Sequence, residues 1–386
     1  MLLYKPIAHK KEKLIFSLFF MIVIISQGIR GRLNSITNTS IFNYHLIPII
    51  LIILMFIKRS NKVSKKNFIL IFSIIGFIGI GFIANRYSIS QLIRTTIGFI
   101  LPLLMLLINY KDVDTNYLLR KIVKTFNIFI SITFLIQIIM SIKYGRTGGI
   151  VGHPLTSGWY YGIFISLNCI YYKYFESKKD LFIIKDILIA LIGTVLASGR
   201  ISLIIVLILS LLYAISCCRN KIIPYVILPI ILIVFLSTSI VDKYIWEKFR
   251  ATASWGDITN GRLLGIREMK FFNVYPKFFT GKGVGYSNYI SQYLFEVVNF
   301  ENPIIMFSFD YGIITAIMLL IVSFIYPVQN FIRSKNILLA INFTAIFIIP
   351  FTYNGLAETV GIFIVLIFII YIFLIINNGI KKINKL

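Results

Sequence analysis

Twelve apolar runs divide this chain, at about 14–30, 41–57, 67–84, 91–109, 122–142, 157–174, 181–197, 201–218, 222–240, 303–326, 337–353 and 359–376. Each approaches the roughly 20 residues a helix needs to cross the hydrocarbon core of a bilayer. In that solvent every backbone amide must be satisfied inside its own segment. The pattern therefore predicts an all-α, polytopic integral membrane protein with about 12 transmembrane helices. With 386 residues, twelve spans leave room for loops and one long hydrophilic stretch, 241–302, but not for a separate soluble domain. The whole chain, 1–386, is expected to be a single membrane domain. Its content, 58% hydrophobic and only 14% charged, excludes a soluble globular fold. The first run lacks a small-residue cleavage site and is expected to stay as an anchor.

The net charge of +25 would point to nucleic acid in a soluble chain, but here the basic residues occupy short stretches between apolar runs. That placement reads as membrane topology. With the amino terminus on the cytoplasmic side, the loops on that side carry 24 of the 39 basic residues. Eight of the remainder lie in 241–302, a segment too long for its charge to set orientation. Both termini are thus expected in the cytoplasm of a cell-membrane protein, with 241–302 as a long extracytoplasmic loop. Cys169, Cys217 and Cys218 fall in or beside apolar runs, and their spacing supports neither a disulfide framework nor a metal site.

Lysine and arginine divide unevenly between the two sides. The inner set holds four arginines, Arg59, Arg120, Arg219 and Arg333. The outer set holds nine: Arg30, Arg32, Arg86, Arg94, Arg146, Arg200, Arg250, Arg262 and Arg267. Positive-inside bias is satisfied by either residue type, so it does not explain why the planar, bidentate cation collects outside. An outward-facing site for a phosphorylated group does explain it. Taken one at a time, Arg30, Arg32, Arg86 and Arg94 read as boundary residues bound to lipid headgroups.

Three outer segments hold polar residues that a plain connection would not need. The first, Lys143 to Ser157, contains Gly145, Gly148, Gly149 and Gly152, which permit close backbone approach, and presents Arg146 and His153. The second is Ser198-Gly199-Arg200, a connection so short that it fixes Arg200 at the membrane surface. The third is 241–302. Within it, Asp257-Ile-Thr-Asn-Gly-Arg262 carries helix-start residues, and an apolar set from Leu263 to Phe272 precedes Pro276. A short interfacial helix with Arg262 in its first turn is expected, its amino end able to face an anion. Gly281-Lys282-Gly283-Val284-Gly285 follows as a flexible bend; its spacing is not that of a dinucleotide fingerprint. Glu296 and Glu301 close the segment.

In order and on one side, Arg146-Thr-Gly-Gly with His153-Pro154, Ser198-Gly199-Arg200, Gly261-Arg262, Gly281-Lys-Gly-Val-Gly285, and Glu301-Asn302-Pro303 leading to Asp310-Tyr311-Gly312 resemble the polysaccharide polymerase and O-antigen ligase family. These are the Wzy-type integral membrane glycosyltransferases. The resemblance covers roughly 143–326. It implies glycan transfer from a polyprenyl-pyrophosphate-linked oligosaccharide donor to an acceptor hydroxyl, at the outer face, with no metal and no cofactor. It also allows a chain-length regulator protein as a partner. Arg200 and Arg262 fall where such proteins keep pyrophosphate-holding arginines, and Arg146 and Arg267 are further candidates for that role. Ligase-type members carry a histidine where this sequence reads Glu301-Asn302. That departure fits a polymerase in which Glu301 or His153 assists the acceptor hydroxyl. The alternatives are an O-antigen-ligase-like transferase and a flippase for the same lipid-linked oligosaccharide. A flippase should place its charges within its spans, and the apolar runs here are nearly free of charge.

Overall fold

The computed structural model describes residues 10–38, 49–53, 65–108, 112–254, 264–295, 300, 302–353, 355–358 and 360–384. Among these, every regular element is helical. Six helices are long and apolar enough to cross a membrane: Asn67–Asn85, Ile89–Leu107, Thr115–Tyr144, Arg200–Cys217, Ile313–Arg333 and Gly361–Ile383. Two bent pairs, Lys11–Ile24 with Gln27–Thr37 and Ile223–Leu236 with Ser239–Ala251, are each a broken span or a re-entrant loop, and bring the number up to eight where each is counted as one span. The chain is thus a multi-pass helical protein. Expected runs also fold as helices at Pro154–Tyr174, which is diluted by tyrosine, glycine and asparagine, and at Asp180–Leu196, which has 17 residues.

Gly361–Ile383 sits at the centre. It is apolar around its whole circumference and almost entirely buried, packed by residues of the 11–24, 89–107, 115–144 and 337–352 helices. A helix without a polar face has to be enclosed in this way, or to face lipid. Lipid tails are as apolar as leucine, so close packing and polar ties hold such a bundle together. At one end Asn336 donates to the Asn377 carbonyl at 2.6 Å, and Asn377 donates to the Ser334 hydroxyl at 3.2 Å.

The 154–174, 180–196 and 200–217 helices pack through small residues. A Cβ on Gly158 would lie 2.8 Å from the Ser202 side chain, and one on Gly193 only 2.1 Å from the Tyr161 ring. Tyr161 donates to Gln137 at 2.8 Å, and Gln137 donates to Thr147 O at 2.8 Å and to Gly193 O at 3.1 Å. Four helices are tied together at one end in consequence.

Three expected boundaries are corrected. The first run is not one straight anchor; it breaks at Ile25–Ser26 with a bend of 76°. Gly28 packs against the 150–152 backbone, where a Cβ would lie 2.4 Å from Ile150 O, and Ser26 donates to that same carbonyl at 2.9 Å. Carbonyls freed by the break are taken up by Arg30, which donates to Met21 O at 2.6 Å, and by Tyr160, which donates to Val23 O at 3.0 Å. Arg30 therefore has a structural task.

The run 303–326 is likewise divided. Pro303–Tyr311 ends at Gly312, whose φ is +97°, and the long helix is Ile313–Arg333. Its first amides donate to an incoming segment: Ile313 to Lys277 O and Ile314 to Phe278 O, both at 3.0 Å.

Within 241–302, the described residues are helical at 239–254, 264–271 and 286–294. A short helix is present at Leu264–Phe271 and stops before Pro276. Asn273, with φ +51°, ends it: Asn273 N donates to Lys270 O and Val274 N to Met269 O, the two bonds of a Schellman cap. Its expected start at 257–262 lies outside the described residues.

Candidate functional site: a cluster of cations at paired helix ends

The glycine-rich segment after the 115–144 helix folds tightly against its neighbours. Gly145, with φ +68°, closes that helix, and Gly149, with φ +58°, faces Thr133 at a separation that a Cβ would reduce to 3.1 Å. Thr147 N donates to Leu196 O at 3.4 Å and Arg146 Nε to Ala197 O at 3.2 Å. Both carbonyls belong to the carboxyl end of the 180–196 helix, where orphan acceptors and a negative dipole end favour a cation. Arg146 is thereby fixed in place.

Two residues further on, Ser198 takes a left-handed conformation with φ +54°, and Gly199 caps the 200–217 helix. Arg200 is the first residue of that helix. The close contact of Gly158 with Ser202 sets the amino ends of the 154–174 and 200–217 helices side by side. Unsatisfied amides and positive dipole ends therefore lie together, next to Arg200. A cation gains nothing from a helix amino terminus, whereas an anion gains from both.

The 239–251 helix supplies a third cation. Arg200 stacks on the Phe249 ring, 4.9 Å from guanidinium to centroid. Lys248 is half-buried beside it and within reach of the Arg146 and Arg200 charges. An anion there would meet three cations. No motif in the sequence marks Lys248. Its signal is helical spacing: Val241 and Ile245 are buried, and Lys248 follows three residues after Ile245 on that same face. On another face Arg250 makes a two-pronged pair with Asp242, at 2.9 Å for each contact.

His153 stands at the start of the 154–174 helix without capping it. Its ring lies nearly parallel to Tyr353 at 6.0 Å, and the Tyr353 hydroxyl is 3.3 Å from that of Thr156. Partial enclosure, then the Arg146 charge, hold the imidazole below its ordinary 6.5. At neutral pH it is a free base, beside the cation cluster. The set as a whole repels a metal ion and suits a multiply charged anion.

Arg146, Arg200 and His153 are thus brought together. Arg262 and Glu301 lie outside the described residues. Arg267 is exposed on the 264–271 helix, which packs through Gly265 against Phe300. Gly281, Gly283 and Gly285 serve a fold: a Cβ on Gly281 would lie 2.1 Å from the Asp310 carbonyl carbon, and Gly283 and Gly285 have φ +97° and +84°. Gly281 O accepts from Asn85 at 2.9 Å and Tyr87 at 2.7 Å, while the Asp310 carboxylate accepts from Gly285 N at 3.2 Å and Ser287 N at 2.8 Å. Lys282 points out over Tyr286, 4.6 Å from its centroid.

No family model, curated protein or solved structure matches this chain.

Proposed function

We propose that this protein is a metal-independent, extracytoplasmic membrane glycosyltransferase that polymerises polyprenyl-pyrophosphate-linked oligosaccharide repeat units into a surface or capsular polysaccharide. The observation that carries the reading is the gathering of Arg146, Arg200 and Lys248 near one another and near His153, with Arg200 at one of two adjoining helix amino ends. A diphosphate has the charge and the fork-shaped acceptors that such a set recognises.

In this reading the acceptor hydroxyl attacks the anomeric carbon of the donor glycan while the bond from that carbon to the diphosphate oxygen breaks. Its proton passes to His153, or to Glu301 from the last outer segment. Negative charge grows on the departing diphosphate, and cations held by helix ends stabilise it without reorganising. The lysine-rich loops, both termini and the full set of about 12 spans are assigned to the topology in which this cluster faces away from the cytoplasm.

The test is incubation of the purified chain, in lipid nanodiscs, with a lipid-linked repeat unit. A ladder of products supports polymerisation. A single added unit would make the protein a ligase-like transferase, and transbilayer movement without bond formation would make it a flippase.

A further inference from the structure

The outer segment carries two sets of exposed aromatic rings, and they differ in chemistry. Phe278 and Phe279 are phenylalanines, and Phe279 stacks on Phe77 at 6.5 Å. Phe77 lies eight residues before the end of the Asn67–Asn85 helix, about 12 Å down its axis, so this set meets lipid. Gly281, held by Asn85 and Tyr87 at that helix's end, turns the chain away from it.

Beyond the turn the rings are tyrosines. Tyr286, Tyr289 and Tyr293 follow one another at spacings of three and four, a single face of the 286–294 helix. Their centroids are 6.2 and 5.3 Å apart, with interplanar angles of 19° and 33°. Tyr286 is packed on the small core of Ile290, Phe295, Phe300, Met306 and Phe309, while Tyr289 and Tyr293 are largely exposed. The start of the helix is docked by the Asp310 carboxylate, so the ladder is rigid. Lys282, whose ammonium belongs in water, closes the ladder at Tyr286.

We propose that Tyr289 and Tyr293, with Tyr286 and Lys282 closing its inner end, form a stacking track for a glycan chain. Pyranose rings have apolar C–H faces that lie on aromatic rings, and hydroxyls at their rims that pair with phenol groups and an ammonium. A row of tyrosines at ring-width intervals on a rigid helix offers both, and successive sugars of one chain occupy successive rings. The inference rests on the reading that oligosaccharide is the material this protein handles.

The experiment uses the full chain in nanodiscs and saturation-transfer NMR with soluble maltohexaose, cellohexaose, chitohexaose and a hyaluronan hexasaccharide. At least one should bind the wild type. The double variant Tyr289→Ala/Tyr293→Ala should weaken that binding by about tenfold or more, and Tyr289→Phe/Tyr293→Phe should keep most of it. Absence of binding to all four probes, or equal binding in the alanine variant, overturns the proposal. So does quenching of a Tyr293→Trp reporter by brominated lipid, which would make the ladder a membrane-docking face. The Phe variant controls for folding. Polymer formation is read separately: a chain that binds these probes but makes no polymer refutes the polymerase reading and leaves the track standing.

Discussion

Lys248 offers the sharpest check on the cation cluster, because the sequence does not mark it and only its place near Arg146 and Arg200 assigns it there. A charge-assisted contact to an anion contributes about 1.5–3 kcal/mol, so losing one from the set should raise the Kd of a short polyprenyl diphosphate about 10- to 150-fold. The assay is calorimetry with farnesyl diphosphate at constant pH and ionic strength, the protein in nanodiscs. Lys248→Gln should bind more weakly by that factor, and Lys248→Arg, which keeps the charge, should stay close to the wild type. Arg250→Gln, on another face of the same helix and paired with Asp242, should leave the affinity unchanged. Equal affinity in the wild type and Lys248→Gln would refute the reasoning, since the anion would then be held elsewhere.

Arg200→Lys keeps the charge but loses the fork and the stack on Phe249; polymer formation should slow about 100- to 1000-fold, with the protein still in the membrane. Of His153→Ala and Glu301→Gln, the one that removes the base should abolish turnover while donor binding survives; where that is His153→Ala, the acid limb of wild-type kcat/KM should lie below pH 6.5. Arg146→Gln should move that limb upward, because the Arg146 charge helps to hold it down. Asp310→Ala strands the amides of Gly285 and Ser287; thermal unfolding should show a loss of about 1–3 kcal/mol for each amide left unsatisfied.

Much of the helical plan is legible in the sequence because a bilayer makes composition decisive: Asn67–Asn85, Ile89–Leu107 and Arg200–Cys217 coincide with apolar runs to within a few residues. The breaks are not legible, since their causes are tertiary. Nothing local to residues 14–30 announces that Gly28 meets the backbone of residues 150–152. Likewise Gly312 ends a helix where the 277–280 segment crosses it, and a Cβ there would lie 2.8 Å from Phe279. The glycines of 281–285 read as a flexible bend and instead pack closely against Asp310 and Tyr87. Their chemistry and spacing are the same in either role. Arg146, His153 and Arg200 are legible one by one, from a glycine-rich segment, a position before Pro154 and a very short connection, whereas their nearness to one another is tertiary.

Arg30 and Arg200 show two uses of the same side chain. Arg30 is spent inside the protein: its guanidinium takes a carbonyl that a broken helix left without a partner. Arg146 likewise accepts a backbone task, at a helix end whose dipole favours it. Arg200 instead opens a helix whose amino end favours anions and lies over the Phe249 ring. Lys248, half-buried next to Phe249, comes within reach of both arginine charges, while Arg250 on another face of that helix is taken up by Asp242. Three cations gathered by helix ends and a ring are set in place before a ligand arrives, which is what stabilisation of the charge growing on a departing diphosphate requires.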